Sequence, residues 1–253
     1  NHLKAQPTDV AAIRMLAELA GRIGRMPDAE TLLRRAVEIA PNFLAARSNL
    51  ATVLYRQNKI ADAVAELEAL LAIDPENAGN ANLKAAVMGR IGEYDEAVAL
   101  YGQVLARHPE QPKVWMSYGH VLKTGGQQAA RVEAYRPALA LAPQLGEVWW
   151  SLANLKTVTF SDDDIAAMEA ALEQPKLGEE DRFHLHFALG KALEDRKQAA
   201  ASFAHYDEGN RLRRAALGYE PADTIRQVDR SISIFTPALF AARAGQGCPA
   251  PDP

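Results

Sequence analysis

Six histidines, one cysteine and a run of three aspartates are the groups in these 253 residues that could do chemistry. His184 and His186 stand two positions apart, which on a helix turns them to different sides and keeps them from sharing a metal ion. His108, His120 and His205 have no evident second ligand at helical spacing. Asp162, Asp163 and Asp164 carry enough charge to attract a divalent cation. Placed directly after Ser161, however, they read as a helix start, with the serine as N-cap and the carboxylates against the positive end of the helix dipole. Cys248 has no neighbouring base and sits among turn formers, which describes a free thiol rather than a nucleophile. Phosphate chemistry needs a glycine-rich loop closed by Lys-Ser or Lys-Thr, and Gly89, Gly92, Gly125 and Gly126 are not followed by one. The residues predict a chain with no catalytic group, metal or cofactor of its own. Its function must then lie in a surface.

Composition narrows the kind of surface. Alanine accounts for 48 of the residues, nearly one in five, and alanine is the best helix former, so the expected fold class is all-α. The formal net charge is -4, which argues against a general nucleic-acid binder, since such a protein carries a basic excess. No uncharged apolar run approaches the 18 or so residues of a membrane span. A single cysteine excludes an internal disulfide framework and a cysteine-based zinc site. The first residues, Asn-His-Leu-Lys, show no hydrophobic signal region, and a cytoplasmic location is the default expectation.

The organising feature is a period. Prolines stand at 7, 41, 75, 109 and 143, each 34 residues after the last. Fixed spacing of this kind marks a repeat built from one supersecondary unit. The units run 10–43, 44–77, 78–111 and 112–145, with a fifth from 146, and residues 1–9 read as the tail of a preceding one. Apolar residues recur at helical spacing inside each unit, as in Ile13, Leu16, Ala17 and Ala20, then Ala29, Leu33 and Ala36. Breakers at Gly24, Asn58, Gly92 and Gly125-Gly126 divide each unit into two antiparallel helices. Ala17, Ala51, Ala85, Gly119 and Ala153 share one slot, where the two helices come too close for a larger side chain.

On these residues the chain resembles the tetratricopeptide repeat (TPR) family. The resemblance implies an α-α superhelix, a solenoid of stacked helix pairs whose first helices line a concave side. Three positions depart from the pattern. Lys84 replaces an expected leucine, Arg131 an expected alanine, and Pro137 falls inside a helix, where it predicts a distortion over 133–138.

A concave lining implies a protein or peptide ligand. Counting from each unit start, the inward positions include Arg14, Asn82, Met116 and Trp150, then His120 and Asn154, then Tyr55 and Lys123. Asn82 and Asn154 can pair with the backbone of an extended peptide through donor and acceptor together. Met116, Trp150 and Tyr55 are adaptable or aromatic anchors. Arg22, Arg56 and Arg90 put one guanidinium on each of three successive units, suited to acidic side chains or a terminal carboxylate. They also stand in the last turn of their helices, where a cation complements the dipole without any ligand. Trp115 and Trp149 occupy a helix-packing slot and are expected in the core.

Beyond residue 160 the reading changes. Regular repeats are expected over 10–160, an irregular helix and a displaced TPR-like pair over 161–217, and a C-terminal helix with a loose linker over 218–253. The runs from His184 to Asp195, Phe203 to Arg214 and Phe235 to Arg243 resemble the segment that joins the TPR array to the catalytic domain in bacterial TPR-containing sulfotransferase-family proteins. That resemblance implies a recognition arm. Its catalytic domain, with the loop that binds 3'-phosphoadenylyl sulfate (PAPS), would lie beyond Pro253 and pack on residues 232–243. The alternative is a free-standing TPR adaptor that assembles a complex.

Overall fold

A computed structural model describes residues 2–126, 128–218 and 220–246. Cys248 and the rest of 247–253 lie outside the described residues, as does the side chain of Arg131. A single turn, α1 (His2–Ala5), precedes four helix pairs: α2 (Val10–Arg22) with α3 (Met26–Ile39), α4 (Leu44–Arg56) with α5 (Ile60–Ile73), α6 (Ala78–Ile91) with α7 (Tyr94–Arg107), and α8 (Pro112–Thr124) with α9 (Gln128–Leu141). Then come α10 (Gly146–Ala153), α11 (Asp162–Leu172), α12 (Glu179–Asp195), α13 (Ala199–Leu217), α14 (Pro221–Ile234) and α15 (Pro237–Ala242). No strand occurs among the described residues.

The first helices open at 10, 44, 78, 112 and 146, and α11 opens at 162 where a fifth second helix would. Each pair turns through a left-handed residue, Gly24, Asn58, Gly92 or Gly126, with φ between 62° and 93°. Glycine suits that conformation because it has no Cβ, and asparagine tolerates it.

Packing follows the slots. Ala17, Ala51 and Ala85 are fully buried, and so are Ala29, Ala63 and Ala97 across from them. Leu33 and Leu67 fill the space beside the first two pairs, while Tyr101 and Tyr135 take the same place in the next two. The ring of Tyr135 lies where a side chain on residue 119 would be, which is why the fourth unit has Gly119 in place of alanine. Helix α9 continues unbroken through Pro137 with Ala138 and Leu139 buried, so the expected distortion does not end the helix. Trp149 is buried and donates from Nε1 to the Pro143 carbonyl at 2.8 Å. Trp115 makes the same bond to Pro109 but is only half-buried, not the core residue expected.

Polar side chains tie unit to unit. Glu30 is buried on α3 and accepts from Arg34, from Gln57 at 2.8 Å and from Lys59 at 2.6 Å. Burial would raise its carboxyl, but these donors hold it below its ordinary value. Lys84 explains its departure in the same way, since its ammonium reaches Glu96 on α7 at 2.9 Å and Glu68 on α5 at 3.8 Å.

After α9 the arrangement is irregular. Ser161 and Asp164 form a reciprocal capping box at the start of α11, and Arg136 on α9 grips the Asp164 carboxylate with two nitrogens. This confirms the aspartate run as a helix start. Helix α10 packs against α12 rather than α11. The pair α12–α13 repeats the TPR contact, with Gly190 against the Tyr206 ring and Ser202 in the alanine slot donating to the Gly190 carbonyl at 2.7 Å. His186 and His205 meet across this pair, Nδ1 to Nδ1, at 3.0 Å. Helices α14 and α15 bury no residue.

The packing carries two predictions. Gly119→Ala would normally gain helix propensity, but its Cβ overlaps a fully buried ring, and overpacking of this kind costs about 1–3 kcal/mol. We expect a melting temperature lower by several degrees, restored in Gly119→Ala/Tyr135→Leu, which recreates the Ala17–Leu33 pairing. An additive double mutant would refute the pairing. The second concerns acid. Burial lowers the pKa of His120, His184, His186 and His205, and nearby Arg182 and Arg211 act on His186 in the same direction, against Glu208. The unfolded chain therefore binds protons first as pH falls through the ordinary imidazole value of 6.5, so stability present above it is lost below it. Thermal melts at pH 7.5 and 5.5 should show the lower value at 5.5, and equal values would contradict this account.

Candidate functional site

Successive first helices touch one another, α2 with α4, α4 with α6 and α6 with α8, and so form one continuous inner layer. Of the positions counted from the sequence, Arg22, Arg56, Arg90, Lys123 and Asn154 are exposed, and Arg14, Tyr55, Asn82, Met116, His120 and Trp150 are half-buried. Two depressions of about 270 Å³ each open on this layer. The first is lined by Glu18, Gly21 and Arg22 of α2 and by Asn49, Thr52 and Arg56 of α4. The second is lined by Tyr55, Ala86, Gly89 and Arg90 with Ser117 and His120, two units farther on.

The arginine row divides in two. Arg22 is exposed and donates to Glu18 at 3.1 Å, and Arg14 approaches the same glutamate at 3.6 Å, so Glu18 already neutralises the first unit. Arg56 and Arg90 make no ion pair with any described residue. Arg90 instead lies over the Tyr55 ring, 5.2 Å from its centroid, a cation–π contact that fixes the guanidinium above the second depression. A cation held by an aromatic face keeps its N–H groups available to a carboxylate. The dipole role allowed for all three arginines from sequence therefore coexists with two accessible cations.

Asn82 is half-buried, and its side-chain carbonyl is shielded from solvent with no hydrogen-bond partner among the described residues. Such an acceptor is costly unless something donates to it. Met116 packs on the core beneath the fifth unit and is half-buried. His120 sits edge-on to Tyr135, with Nε2 at 3.3 Å from the Ser151 hydroxyl and 3.9 Å from Glu147. Burial lowers its pKa, with Lys123 adding to the effect, so the ring is neutral near pH 7. Lys123 itself is exposed, as is Asn154, which caps the C-terminus of α10.

Trp150 is half-buried and tilts against Phe187 of α12 with centroids 5.4 Å apart. Phe187 in turn meets Phe183, whose ring carries Arg213 at 4.9 Å. Sequence counting missed Phe187 and Phe183 because α12 is out of register with the first five units. Gly190 gives the register of the displaced pair and would have placed Phe187 at the position of Arg14, whereas Phe183 falls on the position of Val10 and is buried. The inner face thus has a cationic half on α4 and α6 and an aromatic half on α8, α10 and α12.

Among the described residues no group of three histidine, cysteine, aspartate or glutamate side chains is placed to hold a metal. No helix among them is long and apolar enough to cross a membrane.

Comparison with known proteins agrees with this architecture. Models of the tetratricopeptide repeat match residues 23–87 and 89–146. PilF of Pseudomonas aeruginosa superposes with a TM-score of 0.58 at 23% identity, over 76% of this chain and 88% of that one. A thermophilic TPR protein of Thermus thermophilus gives 0.56 at 21%, over 71% of this chain and 98% of that one. MamA of Desulfovibrio magneticus RS-1 gives 0.51 at 16%, over 81% and 96%. At these identities the likeness is one of fold. An uncharacterised protein of Aquifex aeolicus (strain VF5) is 28% identical over 93 residues, which spans 37% of this chain and 12% of that protein's length. Residues 23–146 carry tetratricopeptide repeats, and the chain has the all-helical fold of TPR superhelices.

Proposed function

We propose that the inner face binds an extended protein segment with an acidic stretch over α4 and α6 and an apolar anchor over α10 and α12. The observation that carries this reading is that Arg56 and Arg90, on successive units at the mouths of two depressions, have no acidic partner among the described residues. A carboxylate of the ligand supplies the missing charge to each, and an amide N–H of its backbone supplies the donor that Asn82 lacks. Trp150 and Phe187 offer a half-exposed aromatic pair to a bulky side chain. Binding of this kind needs no catalytic group and makes the chain a recognition module.

A narrower reading places the module as the recognition arm of a sulfotransferase-like protein, with a PAPS-binding domain following Pro253. Its support is the resemblance of the segments around His184, Phe203 and Phe235, together with the apolar surface of Ile232, Phe235 and Phe240 on α14 and α15, each more than half exposed. A domain seated on residues 232–243 would cover that surface. A free-standing adaptor is the competing reading, and a protein partner at the same surface would serve it.

The groove is tested with an array of random heptapeptides, read as enrichment of acidic over basic sequences. We expect acidic peptides carrying one aromatic or leucine to be retained. Arg56→Glu/Arg90→Glu should weaken them by about tenfold or more, since two charge-assisted contacts are reversed. Retention of the same peptides by the double variant would sink the proposal. The narrower reading is tested on the parent protein by PAPS binding. Binding to the parent supports the arm, and a parent that neither binds PAPS nor continues into a strand and phosphate loop leaves the adaptor.

A further inference from the structure

Helix α10 buries Gly146, Val148, Trp149, Ser151, Leu152 and Ala153. The two side chains it leaves half-buried are Glu147 and Trp150, three positions apart and therefore on one face. This helix offers a ligand a carboxylate beside an indole.

The carboxylate has no cation of its own. His120 of α8 brings Nε2 to 3.9 Å from it, and His184 of α12 feels it electrostatically. Burial lowers the pKa of both rings, so both are neutral near pH 7. Glu180 and Asp181 act on His184 with the same sign as Glu147. Two cations are near the rings, Lys123 beside His120 and Arg213 beside His184, and neither forms an ion pair with Glu147 among the described residues. Arg213 is held instead over the Phe183 ring at 4.9 Å. Glu147 lies in the first turn of α10, where its charge complements the helix dipole, but it accepts no hydrogen bond among the described residues.

The indole completes a receptor for a cation. Trp150 tilts against Phe187, centroid to centroid 5.4 Å. The face of an aromatic ring attracts an ammonium or guanidinium group, the methylene stem of such a side chain covers apolar surface, and an adjacent carboxylate takes its N–H groups. A purely apolar anchor laid over Trp150 would instead strip water from Glu147 and leave its charge unpaired.

We propose that the ligand carries a lysine or arginine next to its apolar anchor, with the stem over Trp150, the cationic head on the Glu147 carboxylate, and Phe187 left to the anchor. This rests on the groove reading above and gives the groove a charge axis, cations on α4 and α6 and an anion on α10. Packed helices lie about 8–10 Å apart, so α6 and α10, two steps from each other, are separated by roughly 16–20 Å, which an extended chain covers in about five or six residues. A segment with its acidic and basic residues at that spacing fits one way round.

The test titrates the full chain at pH 7.5 with capped peptides of one composition, two aspartates and a Leu-Arg pair separated by about five glycines and serines, in both orders. Two further sets replace arginine by citrulline, which keeps the shape and loses the charge, or the aspartates by serine. The arginine peptide should bind about tenfold or more tighter than the citrulline peptide, the effect of one charge-assisted contact. Glu147→Gln should erase that ratio and leave helix content and melting temperature unchanged. Arg56→Glu/Arg90→Glu should keep the ratio and lose the dependence on aspartate, and the serine set reads the ratio even where the acidic part of the groove reading fails. Equal binding of arginine and citrulline peptides, a ratio that persists in Glu147→Gln, or no binding of any set overturns the proposal. Equal binding of the two orders overturns the axis.

Discussion

The close approach of two helices at one small residue is the contact on which the rest of the structure depends. Ala17, Ala51 and Ala85 each admit the neighbouring second helix to within side-chain contact, and the residue sixteen positions on fills what remains. In four of the five pairs the size of that second residue goes with the first. Leucine at 33 and 67 goes with alanine, and tyrosine at 135 and 206 goes with glycine at 119 and 190. Unit three, with Ala85 and Tyr101, is the intermediate case, and there the tyrosine hydroxyl is raised to about 12 by its burial. Ala–Leu and Gly–Tyr fill nearly the same volume, as expected of an interior packed at crystal density, and the larger Ala85–Tyr101 pair is the exception.

That contact also decides where charges are paired. Close pairing brings second helices of one unit against first helices of the next, and it leaves the first helices touching one another along the inner side. Charges at the unit boundaries are then neutralised inside the array. Glu30 joins α3 to the α4–α5 turn through Gln57 and Lys59, and Lys84 bridges α5 and α7. Arg56 and Arg90, which have no ion pair among the described residues, lie on the inner layer.

The legible part of this fold is whatever repeats. The period matches the openings of α2, α4, α6, α8 and α10, and the breakers fell on the four left-handed turn residues. What could not be counted was pairing between side chains. Arg22 looked equivalent to Arg56 and Arg90, but Glu18 neutralises it together with Arg14, and no described residue plays that part for the others. Lys84 looked like a defect because its partners are 16 residues before and 12 after it. His205 looked isolated because its partner is 19 residues away, on the other helix of its pair.

The last pair shows why a repeat can leave its register and still fold. Gly190 stands 173 residues after Ala17, which is five periods of 34 and three residues more. Every slot of the pair moves with it, Ser202 for Ala29, Tyr206 for Leu33 and Lys197 for the turn residue Gly24, and Lys197 adopts the same left-handed conformation with φ of 60°. The extra length is absorbed before the pair, where α10 is cut to eight residues and α11 is swung aside under its own capping box. Helix α12 then takes the place against α10 that α11 would have held. Asp181 secures the junction, because its carboxylate accepts the Gly146 N–H at 2.9 Å while its backbone occupies the space a side chain at 146 would need. The internal geometry of a pair is thus the conserved quantity, and the spacing between pairs is free to vary wherever one glycine lets the next helix in.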